Sequence, residues 1–258
     1  NVHQTNSLLK HFDSDYPNKY WIAPSEAGMN RFSDPEFDPL GTKETDSRSN
    51  ATFRKYNGAW VFCKYRPISS DVREAYQDDV HIYTYRGADL YFMLAEAFNE
   101  LDKVNAVDAM INVGVGNYIN EFEKDDDGNL SGTWYGFTPH WTTGSTMYHL
   151  TNGTSEYNSR KYGDRGIRGY GYWNMGNRPF GSDKYKNAKE ILKEMVLEMS
   201  GEGKVYPALI RMSRRHKDNS FMADVISEKY EGKGNAEAIR TKIMNGDYFI
   251  HWDLGTEK

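Results

Sequence analysis

Two stretches of three-to-four-residue apolar periodicity constrain what this chain can fold into more than any other feature of it. From Arg86, apolar side chains recur at Leu90, Tyr91, Leu94, Ala95 and Phe98 with good helix formers between them, which predicts a helix to about Leu101. After a short Asp102-Lys103-Val104 link, Ala106, Met110, Val113 and Ile119 carry the period into a second helix, so residues 85–121 read as a helical hairpin. Gly114 and Gly116 either weaken that second helix or let a neighbour approach it closely. The other periodic stretch is C-terminal. Ala188, Ile191, Leu192, Met195, Val196 and Met199 predict a helix capped by Ser182 or Asp183 and stopped at Gly201 or Gly203. Leu209, Ile210 and Met212 predict another, opened by Tyr206-Pro207 and ending in the basic run 211–217. Shorter helices are expected over 221–227 and 236–244, ahead of the aromatic stretch Tyr248-Phe249-Ile250.

The intervening segments have a different chemistry. Residues 1–80 are broken by Pro17, Pro24, Pro35 and Pro39 and read mostly as loop, with Trp60-Val61-Phe62-Cys63 an apolar run of ambiguous helix or strand character. Residues 122–183 form a long excursion in which glycine recurs from Gly128 to Gly181 among Trp, Tyr and Asn. Residues 184–258 return to helix. The expected fold class is therefore mainly α, with long irregular loops and a few short strands. Although the hydrophobic fraction is only 38%, aromatics at 14% supply bulk for a core. A net charge of -5 argues against a nucleic-acid partner, which requires a clustered positive field. The lone Cys63 excludes an intrachain disulfide and is expected to be a packed apolar residue.

The run 85–100, Tyr-Arg-Gly-Ala-Asp-Leu-Tyr-Phe-Met-Leu-Ala-Glu-Ala-Phe-Asn-Glu, resembles the signature R-x-A-D-x-x-L-M-x-A-E-A-x-N-E of the SusD/RagB family. A second block resembles that family's I-L-x-E-R-x-x-E-L, E-G-x-R and D-L-I-R elements in order: Ile191 to Met199, then Glu202-Gly203-Lys204, then Leu209-Ile210-Arg211. Asp46-Ser47-Arg48 echoes an Asp-x-Arg ahead of the signature helix. Met195 stands where the family carries Arg, Lys204-Val205-Tyr206 replaces Lys-Arg-Trp or Lys-Arg-Phe, and Ala208 takes the Asp place, so the likeness is to a divergent branch. The spacing Leu94-Ala95-Phe98 and Ala106-Met110-Val113 also matches a tetratricopeptide hairpin.

The resemblance implies a SusD-like fold with a tetratricopeptide-type hairpin scaffold. Residues 1–258 would make up the C-terminal portion, and the family's N-terminal half would be absent. It also implies a surface lipoprotein of the outer membrane, anchored by a lipid outside this chain. Such a protein binds a polysaccharide or oligosaccharide, or in some branches a peptide, and delivers it to a SusC-like TonB-dependent transporter without catalysis or cofactor.

Glycan capture needs flat aromatic faces for sugar rings and planar polar groups for hydroxyls. The aromatic loops offer Tyr20 and Trp21 in one segment and Trp134, Trp141, Tyr172 and Trp173 in the other, and these six are the expected ligand-binding residues. Asp89 and Glu96 share a helix face, but Arg86 lies three residues before Asp89, so an ion pair or cap explains them better than acid/base catalysis. Glu194, Glu198, Glu202 and Arg211 are expected to form a structural polar network joining two helices. Asp125-Asp126-Asp127-Gly128-Asn129 resembles the front of a calcium loop, but its twelfth position is Trp134, and the seven His have no zinc spacing, so no metal site is expected. Two other classes compete: a glycoside hydrolase, which would need two carboxylates across a cleft, and a tetratricopeptide-like scaffold that binds protein.

Overall fold

The computed structural model describes residues 22–33, 46, 48–56, 58–62, 64, 84–114, 166–168 and 176–249. This part of the chain is mainly α-helical with one two-stranded antiparallel sheet. Helix α1 (Glu26–Asn30) runs into a 3-10 turn, Arg31–Ser33. Helix α2 (Arg48–Thr52) leads directly into β1 (Phe53–Tyr56), which pairs with β2 (Ala59–Phe62) in the register Phe53 to Phe62 and Lys55 to Trp60. The apolar run at Trp60 is thus a strand, and the segment before residue 80 holds more regular structure than its prolines suggest.

Helix α3 (Gly87–Glu100) starts where Arg86 is extended and the Asp89 carboxylate accepts its backbone N–H at 2.8 Å. Its buried face carries Phe92, Ala95 and Phe98 together with Asp89, Glu96 and Asn99, while Leu90 and Met93 face outward at 57% and 50% exposure. The apolar pattern had placed Leu90 inward. Charged partners across the fold draw Asp89 and Glu96 inward and turn the helix away from that choice. Helix α4 (Val104–Asp108) is shorter than expected. It passes into a π turn, Ala109–Val113, which ends at Gly114 with φ +86° and a bond from Gly114 N–H to the Ala109 carbonyl at 2.9 Å. The helix therefore stops at Val113, and Ile119 lies outside the described residues.

Helix α5 (Lys184–Glu198) is capped by Asp183, whose carboxylate accepts from the backbone of Tyr185 and Lys186 at 3.0 and 3.1 Å. Gly201 and Gly203, both at positive φ, turn the chain into α6 (Val205–His216), with Pro207 in its first turn and Arg214, Arg215 and His216 in its last. Helices α7 (Ser220–Ser227) and α8 (Ala236–Met244) complete the order. The main core runs through Phe92, Phe98, Met110, Ile111, Ile191, Leu192, Met212, Phe221 and Met222. A smaller cluster, Phe32, Phe53 and Leu197, seats the sheet against the C-terminal end of α5. Helix α5 thereby has apolar contacts on two sides, and its carboxylates lie between them.

Candidate functional site

A spacing of four residues stacks Glu190, Glu194 and Glu198 along one side of α5, and the turn after it brings Glu202 close to the end of that row. Five cations from separate parts of the chain converge on this row. Glu194 is fully buried. Its Oε1 accepts from Arg48 Nη2 at 2.6 Å, and its Oε2 accepts from Arg168 Nη1 at 2.7 Å and Arg178 Nε at 2.9 Å. Arg178 also reaches Glu190 at 3.2 Å. Arg48 is oriented by Asp46, whose two carboxylate oxygens accept from its Nε at 3.0 and 2.9 Å, and it donates to Glu198 at 3.0 Å as well. Arg86 bonds Glu198 at 2.7 Å and clasps both oxygens of Glu202 at 2.9 and 2.8 Å, while Lys64 joins Glu202 at 2.8 Å.

A second set links α3 to α6: Lys204 bonds Asp89 at 2.5 Å, and Arg211 and Arg215 hold Glu96 at 2.5 and 2.9 Å. Asp89 caps its helix, one of the two readings expected for it, while the Arg86 guanidinium pairs with Glu198 and Glu202. One expectation is corrected: Arg211 belongs with Glu96, and the partners of Glu194, Glu198 and Glu202 come from α2, from the start of α3 and from segments outside the α-helices. Arg48 opens the five-residue α2, Lys64, Arg168 and Arg178 stand outside the α-helices, and each extends a long side chain to a carboxylate.

The electrostatics are those of a clamp. Burial pushes the Glu194 carboxyl up, but the guanidiniums of Arg48, Arg178 and Arg168 outweigh it and hold the group at about 2. Burial likewise opposes ionisation of Glu202, and hydrogen bonds from Arg86 and Lys64 leave it below the usual range. Burial lowers Lys64, with Glu202 opposing that shift. Carboxylates held ionised and enclosed by cations in this way carry no proton to donate near neutrality and are weakened as bases.

The sign of the pH dependence follows. A depressed folded-state value makes Glu194 stabilising above its ordinary value near 4.5, and that stability is lost as pH falls towards about 2. We expect urea midpoints to fall steeply between pH 5 and pH 2, and Glu194→Gln to flatten that limb. Glu202 and Asp218, the latter also held at about 2 against its own burial by Tyr185 and Ser220, retain part of the slope. An unchanged slope in the variant would remove Glu194 from the account.

The same contacts fix the later part of the glycine-rich excursion. Ile167 and Arg168 are buried, Ile167 N–H donates to the Met110 carbonyl at 3.1 Å, and Asn112 exchanges two bonds of 2.9 Å with the backbone of Arg178. Arg168 also donates to the Gly176 carbonyl, so the chain on either side of residues 169–175 is held to one carboxylate. Tyr20, Trp21, Trp134, Trp141, Tyr172 and Trp173 all lie outside the described residues, as do Cys63 and residues 125–129.

Among the described residues, no group of three His, Cys, Asp or Glu side chains is placed to hold a metal ion, and no helix is long and apolar enough to cross a membrane. Arg168 and Arg178 escaped the sequence reading, because an arginine beside Gly169 or Pro179 carries no periodic signal. Trp60, read only as part of an apolar run of ambiguous helix or strand character, is 45% exposed opposite Lys55 on the neighbouring strand. No protein-family model, curated protein or solved structure matches the chain.

Proposed function

We propose that this chain is a binding protein whose helical part is scaffold and whose ligand contacts lie in its aromatic loops. More particularly, we read it as a divergent SusD/RagB-type lipoprotein that captures polysaccharide or oligosaccharide at the outer-membrane surface and passes it to a SusC-like TonB-dependent transporter. One observation carries this reading: nine charged residues of the resembling blocks are engaged in ion pairs. Arg86, Asp89, Glu96, Glu194, Glu198, Glu202 and Arg211, with Asp46 and Arg48, all stand in the ion-pair networks. A motif used this way specifies a scaffold, and carboxylates held in ion pairs suit a structural role better than a catalytic one. The tetratricopeptide-type reading of the α3 and α4 hairpin belongs to the same proposal, supported by the small buried residues Ala95, Ala106 and Ala109 where the two helices pack.

The test is a binding screen of the chain against amylopectin, xylan, mannan and pectin and against a peptide library, with Trp141→Ala and Trp173→Ala variants. Loss of a stacked aromatic is expected to weaken polysaccharide binding roughly tenfold at each position, corresponding to about 1.4 kcal/mol. Binding that is unaffected in both variants would remove these loops from the site. Peptide binding without glycan binding would move the chain to the peptide branch.

A further inference from the structure

After α8 the chain turns back onto α6 and presents an aromatic ring to solvent. Gly246, at φ +90°, makes the turn, with its N–H on the Ile243 carbonyl at 2.9 Å and the Asp247 N–H on the Lys242 carbonyl at 3.0 Å. Tyr248 packs against the main core, and its carbonyl accepts from the Tyr206 hydroxyl at the start of α6. Phe249 follows at 51% exposure, its ring 4.8 Å from that of Tyr248 and its centroid 5.6 Å from the Arg214 guanidinium. The Phe249 ring is therefore held from two sides and still half open to water.

Arg214 differs from its neighbours in the basic run. Arg211 and Arg215 are committed to Glu96, whereas Arg214 is exposed and forms no ion pair among the described residues. An open aromatic ring beside an unpaired planar cation matches one ligand chemistry. The apolar face of a sugar stacks on the ring, and a carboxylate on the same sugar takes two parallel bonds from the guanidinium.

We propose that Phe249 and Arg214 form a contact site for the uronic-acid units of an acidic polysaccharide, with Tyr206 and Tyr248 positioning the ring. This site rests on the reading given under Proposed function and adds to it a second contact surface, beside α6, and a class of sugar. Because the ring is already placed, binding has little of it left to order. The chain carries a net charge of -5, so attraction for an acidic polymer has to be local, and the basic last turn of α6 supplies it.

The experiment measures binding of polygalacturonate and of neutral mannan to the parent chain, to Phe249→Ala and to Arg214→Gln, by isothermal titration calorimetry at low and high salt. The parent is expected to prefer polygalacturonate and to lose that preference at high salt. Phe249→Ala is expected to weaken polygalacturonate binding roughly tenfold, and Arg214→Gln to weaken it by a similar factor and to abolish the preference over mannan. Both variants are expected to keep the parent's Tm within about 2 °C by circular dichroism, because both side chains are exposed.

Polysaccharide binding that neither variant weakens would remove this site and leave the proposed capture function standing. Mannan bound by the parent as tightly as polygalacturonate would overturn the choice of an acidic sugar. A fall in Tm of many degrees in Phe249→Ala would make the ring a structural anchor and contradict the assignment. A parent that binds no polysaccharide at all would overturn the capture reading and this inference with it.

Discussion

Glu194→Ala is expected to lower the stability of the chain by about 3–5 kcal/mol, the cost of removing one partner from a buried ion cluster. The loss corresponds to a fall in Tm of roughly 10 °C for a chain of this size. Glu194 has no solvent exposure and accepts from three guanidiniums, of which Arg168 and Arg178 are almost equally buried. Alanine would leave those cations facing one another beside a void. Asp46 and Glu198 would still compensate Arg48, and Glu190 would still compensate Arg178. Arg168 would lose its bond to Glu194, and its own pKa is already lowered by burial despite the attraction of that carboxylate. Chemical denaturation at pH 7 measures the effect. A loss below about 1 kcal/mol, the range of a solvated surface pair, would show that water reaches the cluster.

Gly166→Ala is the second large effect, with an expected loss of about 3 kcal/mol. The left-handed backbone alone costs an L-residue about 1 kcal/mol. The new methyl would also press on the Ile111 carbonyl oxygen at 2.9 Å and on Gly114 N at 3.0 Å, both of them main-chain atoms that cannot rotate aside. Overpacking of this kind adds roughly 1–3 kcal/mol. Gly203→Ala is the control, because Gly203 has φ +74° with open space around it and isolates the backbone cost. Equal losses at the two positions would mean that the contact between residues 111–114 and 166 is loose.

The helices were legible because their signals are local. The Asp183 cap, the apolar rows of α5 and α6, the proline in the first turn of α6 and the glycines at 201 and 203 each act within one or two turns. The inward face of α3 was legible in part: Ala95 and Phe98 are buried and Tyr91 and Leu94 pack against the core, but a period counted on apolar residues cannot see that Asp89, Glu96 and Asn99 are buried. Their burial depends on Lys204, Arg211, Arg215 and Lys184, which are remote in sequence. The end of α4 was overrun because the spacing of Val113 and Ile119 suits a continuing helix, whereas Gly114 takes a positive φ and admits Gly166 beside it.

At the candidate site, the chain advertised carboxylates and hid their partners. A four-residue spacing marks Glu190, Glu194 and Glu198, but nothing in an irregular segment marks Arg168 or Arg178 as buried. Asp46-Ser47-Arg48 was noticed as an echo of a family pattern. Its meaning is physical: Asp46 orients Arg48, and Arg48 bridges Glu194 and Glu198. The six aromatic residues proposed for ligand contact were chosen by composition and lie outside the described residues, so their role rests on binding measurements.

The central claim is that the charged motif residues make the scaffold while the loop aromatics contact the ligand. The most direct measurement pairs Tm with polysaccharide affinity in two variants, Glu198→Ala and the double substitution Trp141→Ala with Trp173→Ala. Glu198 holds both Arg48 and Arg86, so its loss is expected to lower Tm by several degrees and leave affinity within about twofold, while the tryptophan pair is expected to lose affinity and keep its Tm. Affinity lost in Glu198→Ala at an unchanged Tm, with binding intact in the tryptophan pair, would contradict that division.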